Sequence, residues 1–390
     1  MPHSKKTAPA KTTALVNGRV LTDAGLTEGL CVLVAGGRIV DVVSSTDVSS
    51  SQVEQRDLGG NLLLPGFIDS QVNGGGGVLF NDAPSVEVIT QIGQAHRKFG
   101  TTGFLPTLIS ADLDVVAKAI EAAQNALTLG VPGVLGIHIE GPFLNVERKG
   151  IHDPGKLREL DPAGIGLLTS LRGGRTLVTL APEMTTPDMI KRLVIAGVVV
   201  SAGHTNATYV QIRSALSQGL TGFTHLFNAM SQLTGREPGV VGAALDDPDS
   251  WCGIIVDGEH TDPVVLRIAM RCKRHDRFML VTDAMPSVGT NYQSFDLQGR
   301  KITVSGYVCI DEAGRLAGSN IDMASCVRNA MTMLGLPLPE AVRMASLYPA
   351  QFLGLETELG RIAPGYRANF VLADDHMQVL DTWIDGEPAA

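Results

Sequence analysis

The chain has no surplus of basic charge, no long apolar run, no Cys-x-x-Cys pair, and neither a Gly-x-Gly-x-x-Gly nor a P-loop turn. Each absence excludes something. With 31 Lys and Arg against 40 Asp and Glu, the formal net charge of -9 argues against a nucleic-acid or anionic-membrane partner. Nothing approaches the roughly 18 uninterrupted apolar residues of a membrane span. The five cysteines (Cys31, Cys252, Cys272, Cys309 and Cys326) are odd in number and scattered, which suits buried thiols in a reduced compartment. The missing phosphate turns count against a nucleotide-binding open sheet. The first residues, MPHSKKTAPAKTT, are polar with no apolar core, so residues 1–12 read as a short disordered leader rather than a signal peptide. A soluble, cytoplasmic protein is the expectation.

What is present is patterned. The 390 residues, 44% of them hydrophobic, suffice for one large barrel or two ordinary domains. From Ala14 to Val43 short β-rich runs alternate with Asn-Gly and Gly-Gly turns, and the stretch GRIAPGYRANFVLADDHMQVLDTWIDGE near the other end has the same character. The two ends, 13–61 and 356–390, are therefore expected to meet in a small β-sandwich. Between them, over 62–355, strand and helix alternate. Strand candidates run at Leu62–Asp69, Thr102–Leu108, Val134–Glu140, Leu177–Pro182, Val198–Ala202, Thr221–Phe227, Cys252–Val256 and Phe278–Asp283, most followed by helical periodicity. Eight βα units are the count of an α/β (β/α)8 TIM-like barrel, whose chemistry sits at the C-terminal ends of its strands; a doubly wound open sheet is the alternative.

Polar residues fall at those strand ends. Glu140 ends VLGIHIE, His204 follows VVVSAG, THLFNAM carries His225, VDGEH carries Asp257 and His260, and VTDAM carries Asp283. Singly, each could be a hydrogen-bonded rim residue or a helix cap. Jointly, one carboxylate and two imidazoles leave a coordination position free, as in a catalytic zinc or similar divalent site, and Asp283 is placed to move a proton. His138, two residues before Glu140, points to the same strand face and is either packing or support. His96, His275 and His376 read as solvated, His3 belongs to the leader, and His152 lies in a loop able to face the pocket.

With these residues in place, PGFIDSQVNG, HIEGPFLN, KGIHDP, SAGHTNA, THLFNAM, VDGEH, VTDAM and LAGS together resemble the N-acetylglucosamine-6-phosphate deacetylases of the amidohydrolase superfamily. The resemblance implies deacetylation of N-acetyl-D-glucosamine 6-phosphate to D-glucosamine 6-phosphate and acetate. It implies one divalent metal ion, zinc first with iron, cobalt or manganese also suited, on Glu140, His204 and His225. Asp283 would be general base and then general acid, and His152 would help polarise the acetamide carbonyl. Ile151, Asn228 and Ala229 would contact the sugar, Arg236 and His260 the phosphate, the last two across the interface of a homodimer. Met323 is a less close match, because Asp322 stands where family members often carry Ser or Thr.

Superfamily members with two metals carry His-x-His after the first strand, and here those positions read Gln71-x-Asn73. A second ion is therefore not expected, Gln71 would hydrogen-bond the attacking water or substrate, and Gly74 to Gly77 would let backbone approach the ligand. The rival readings are another amidohydrolase, acting for instance on a galactosamine phosphate, a sugar-phosphate sensor without catalysis, and a scaffold.

Overall fold

The computed structural model describes residues 12–48 and 53–389, so the expected leader lies, apart from Thr12, outside the described residues. Eight parallel strands pair in chain order: β1 (Phe67–Val72), β2 (Thr101–Ile109), β3 (Gly136–Glu140), β4 (Arg175–Leu180), β5 (Val199–Ala202), β6 (Gly222–Phe223), β7 (Trp251–Ile254) and β8 (Phe278–Leu280). The chain after β8 closes the barrel against β1. The Asp283 N–H donates to the Gln71 carbonyl at 3.0 Å, and the Asn73 N–H donates to the Ala284 carbonyl at 2.9 Å. Strands β1, β2 and β3 are buried at every residue, as parallel strands covered on both faces must be.

Helices cover the outside, one after each strand, and their starts are written in the sequence. The side chains of Ser85, Asp161, Thr186, Thr208, Asp262 and Asp322 each accept a first-turn backbone N–H, and Pro follows directly at Asp161, Thr186 and Asp262. Among the described residues, no helix is long and apolar enough to cross a membrane.

The two ends of the chain join in one seven-stranded sheet. Its order is Val379–Trp383, Phe370–Ala373, Leu62–Pro65, Thr13–Thr22, Gly25–Ala35 and Arg38–Ser44, with Glu54–Asp57 also paired to Thr13–Thr22. It has its own core, which includes Leu15, Val32, Ile39, Leu63, Phe370 and Trp383. Gly36–Gly37 makes the expected tight turn, both residues at positive φ. Asn17–Gly18 does not; it lies inside a strand where the register slips, so Asn17 is a bulge residue.

Other expectations are also corrected. The first strand candidate, Leu62–Asp69, is two strands: Leu62–Pro65 belongs to the terminal sheet, and β1 begins at Phe67. The break falls at Gly66, where a Cβ would come within 2.1 Å of Thr102 Oγ1. After β8 the chain forms an antiparallel meander not foreseen from the sequence: Ser294–Leu297, Arg300–Ser305, Val308–Asp311 and Leu316–Ser319. His96 is fully buried rather than solvated, its Nε2 2.9 Å from the Gly74 carbonyl. Gly74 to Gly77 pack against protein: a Cβ on Gly74 would strike Val78 and Pro286, and one on Gly75 would strike His96. Cys272 is exposed, while the other four cysteines are buried.

Candidate active site

Glu140 is the last residue of β3, whereas His204, His225 and Asp283 stand just beyond β5, β6 and β8. Their φ angles are 48° for His204, 32° for His225 and 52° for Asp283, left-handed values for residues with side chains. Such conformations cost roughly 1–3 kcal/mol each and persist where surrounding structure over-determines them. Neighbouring backbone does so beside two of them: the Leu226 N–H donates to the Gly253 carbonyl of β7 at 2.8 Å, and the Ser319 N–H of the meander donates to the Asp283 carbonyl at 2.9 Å.

Three ligand atoms converge. His225 Nε2 lies 3.1 Å from Glu140 Oε1 and 3.0 Å from His204 Nε2, and His204 Nε2 lies 3.3 Å from Glu140 Oε1. Around a tetrahedral ion with bonds of about 2.0 Å, ligand atoms sit about 3.3 Å apart, so the triangle has the size the ion requires. His204 Nδ1 is 2.9 Å from the Arg148 carbonyl, which can only accept, so its Nε2 carries the lone pair. Burial opposes charge on Glu140, but the imidazoles of His204 and His225 beside it outweigh burial and hold the carboxyl well below the usual range. Burial also works against a proton on His225, yet Glu140 beside it leaves the pKa raised. The cluster therefore favours positive charge at its centre.

His152 also brings a nitrogen near: its ligand atom and those of Glu140 and His204 lie within 4.8 Å of one another. Two donors distinguish it from His225. The Ser110 N–H, at 3.3 Å, and the Ser110 hydroxyl, at 2.8 Å, both meet His152 Nδ1. The backbone N–H can only donate, so Nδ1 is the acceptor and Nε2 bears the proton. Burial, then His204, push its pKa well below the ordinary value, so the ring is neutral.

Asp283 faces the same space. Its Oδ1 accepts from Asn73 Nδ2 at 2.6 Å and from Gln71 Nε2 at 3.1 Å, while burial first and Glu140 second raise its pKa. Gln71 Nε2 also lies 3.2 and 3.3 Å from the two Glu140 oxygens, so this amide bridges both carboxylates. His138 touches Thr107 and Thr179 and, with burial pushing its pKa down to about 4, is a neutral core residue.

A cavity of about 340 Å³ opens over these groups. Glu140, Ile151, His152, His204, His225, Asn228, Ala229, His260 and Asp283 line it, with His260 Nδ1 held 2.5 Å from Asp257 Oδ2. Arg236 and Met323 lie outside its wall: Arg236 is exposed, and Met323 is fully buried at the start of helix Met323–Leu334. Sequence reasoning missed Ser110, Arg148 and the meander wall at Arg315 to Gly318. The alternation of ITVS and VCID around Gly306, followed by GRLAGS, was the available signal.

Residues 62–389 match the amidohydrolase family, and the chain belongs to it. Within that family its relatives are deacetylases of acetylated amino-sugar phosphates. The N-acetylgalactosamine-6-phosphate deacetylase of Shewanella sp. (strain ANA-3) is 44% identical over 371 residues, covering 95% of this chain and 94% of its own. The N-acetylglucosamine-6-phosphate deacetylase of Haemophilus influenzae is 37% identical, covering 96% and 98%. The crystal structure of N-acetylglucosamine-6-phosphate deacetylase from Pasteurella multocida aligns with a TM-score of 0.93 at 37% identity, covering 97% of this chain and 99% of that one.

Proposed function

We propose that this chain hydrolyses the acetamide of N-acetyl-D-glucosamine 6-phosphate to D-glucosamine 6-phosphate and acetate. The observation that carries this reading is the Asp283 carboxylate beside the Glu140, His204 and His225 cluster, in a chain similar over nearly its whole length to such deacetylases. One divalent ion, zinc first, would be held by Glu140, His204 and His225. When bound, it lowers the pKa of a coordinated water to about 7 and polarises a carbonyl.

The side chains do the rest. Asp283 takes the proton of the attacking water and returns it to the departing amine. Asn73 and Gln71 orient that carboxylate, so Gln71 acts through Asp283 rather than on the substrate directly. His152, its Nδ1 fixed by Ser110, donates from Nε2 to the acetamide oxygen as negative charge develops there. Ile151, Asn228 and Ala229 would hold the sugar, and His260, which lines this chain's own cavity instead of reaching across an interface as expected from the resemblance, would hold the phosphate. Arg236, exposed and off the cavity wall, would serve the phosphate of a neighbouring subunit in a homodimer. A phosphorylated substrate does not cross membranes unaided, which supports a cytoplasmic site of action.

A second reading is N-acetyl-D-galactosamine 6-phosphate as the preferred epimer, favoured by the 44% identity to the Shewanella enzyme. Acetate release from both epimers and from unphosphorylated N-acetylglucosamine, with and without a chelator, separates the two. Chelator-sensitive release from the glucosamine compound is expected; release from neither phosphate would overturn the proposal.

A further inference from the structure

The loop after β3 crosses the site as a strap. The Asn145 N–H donates to the His204 carbonyl at 3.0 Å, and the Arg148 carbonyl accepts from His204 Nδ1 at 2.9 Å. Gly150, at φ 55°, lies so close that a Cβ would sit 3.2 Å from His204 Cε1. The His204 ring is thus set by the strap, and a carbonyl in that place forces the proton onto Nδ1 and the lone pair onto Nε2.

Something must hold the carbonyl there, because Val146–Arg148 is a single 3-10 turn with no buried residue. Asn206, two residues after His204, grips it from both sides. Its Nδ2 donates to Glu147 Oε2 at 2.9 Å, and its Oδ1 accepts from Arg148 Nε at 3.0 Å. Asn206 is fixed in turn by Glu183: its N–H donates to Oε1 at 2.6 Å, and the same carboxylate accepts from Thr205 Oγ1 at 2.5 Å and Asn145 Nδ2 at 2.9 Å. Ligand, clasp and strap therefore share one frame.

We propose that Asn206 is a positioning residue: by clasping Glu147 and Arg148 it keeps the Arg148 carbonyl on His204 Nδ1 and presents the Nε2 lone pair to a divalent ion. This rests on the reading of Glu140, His204 and His225 as the metal site. The test measures zinc binding itself, on chelator-stripped full-length chain titrated against a chromophoric chelator. Asn206→Ala is expected to weaken zinc binding about tenfold, the low end for an outer-layer partner of a metal ligand. Asn206→Asp sets a carboxylate against Glu147 and weakens binding as well. Adding Glu147→Gln, whose amide can donate to that carboxylate, is expected to restore binding toward the wild-type value, a pairwise rescue that loss of general stability would not produce.

Unchanged zinc affinity in Asn206→Ala, or no restoration in the double variant, would overturn the role of Asn206 alone. Failure of the wild-type chain to bind zinc would overturn the metal-site reading, and this inference with it. Should Asn206→Ala not fold, the comparison of Asn206→Asp with and without Glu147→Gln decides.

Discussion

At the scale of single residues, the buried acids divide by what surrounds them. Asp283 has two side-chain amide donors and faces an open cavity; Asp69 is fully buried, its Oδ1 accepting the backbone N–H groups of Gln71 and Thr282 at 3.2 and 3.3 Å. Replacing Asp283 by Asn removes the proton carrier but keeps the shape, so turnover should drop about 10²-fold or more while zinc is retained. A variant with near-normal kcat would take Asp283 out of this role. His152→Phe should cost about 10²–10³ in kcat by removing one donor to the developing oxyanion; steady-state rates beside an intact zinc content check it. Asp69 tests the pH dependence of stability. Burial pushes its pKa from 3.8 to about 7 against opposing hydrogen bonds from Thr282 and Gln71. A pKa raised on folding means that the folded state holds its proton more tightly. The contribution is therefore fully present below the ordinary value and lost as pH rises through the folded one. Asp69→Asn keeps the acceptor and adds a fixed donor, so it should remove this loss, at most about 4 kcal/mol between pH 4 and 7. Urea midpoints at pH 5 and pH 8 would show it, and parallel profiles for both proteins would sink the idea.

At the scale of elements, the junction after β3 ties backbone conformation to chemistry. Gly141, at φ 93°, follows Glu140, and a Cβ there would lie 2.2 Å from Ser110 Oγ, the group that holds His152 Nδ1. Gly141→Ala should cost roughly 1–3 kcal/mol in left-handed strain and lower kcat by displacing His152. Thermal melting and kcat measured together test it; a destabilised variant with unchanged kcat would separate Gly141 from the site. The same junction shows what the sequence reveals. Glu140, His204, His225 and Asp283 were legible because each breaks an apolar run at a strand end, a local pattern. Ser110 and Arg148 were not, because what they do lies in contacts with His152 and His204 that only the closed barrel creates. Met323 looked like a loop residue by motif, yet Asp322 caps a helix there and carries it into the core. The meander stands out less than the barrel strands because Arg300–Ser305 alternates buried or half-buried with exposed polar residues, whereas strands such as β1 and β3 are buried throughout.

At the scale of the whole molecule, the barrel and the terminal sheet are not independent bodies. Leu62–Pro65, central in the sheet, runs directly into β1 across Gly66, so the sheet cannot come apart without disturbing the first barrel strand. The C-terminal strand is pinned to the barrel as well: Arg97 donates to the carbonyls of Thr382 at 3.1 Å and Glu387 at 2.6 Å, and the Thr382 hydroxyl returns a bond to the Arg97 carbonyl at 2.8 Å. Two cores joined in this way should unfold together, giving one calorimetric transition. The Glu140, His204 and His225 cluster sits on the opposite rim and joins the ends of β3, β5 and β6, so an ion bound there that favours only the folded state would stabilise the joined structure as a unit. Its contribution is about 2.7 kcal/mol when free zinc stands at 100 times its Kd. Chelation should therefore lower one melting temperature without splitting the transition. Two separated transitions after chelation, the upper one unmoved, would mean that the terminal sheet holds without the barrel and that the Gly66 junction transmits no stability between them.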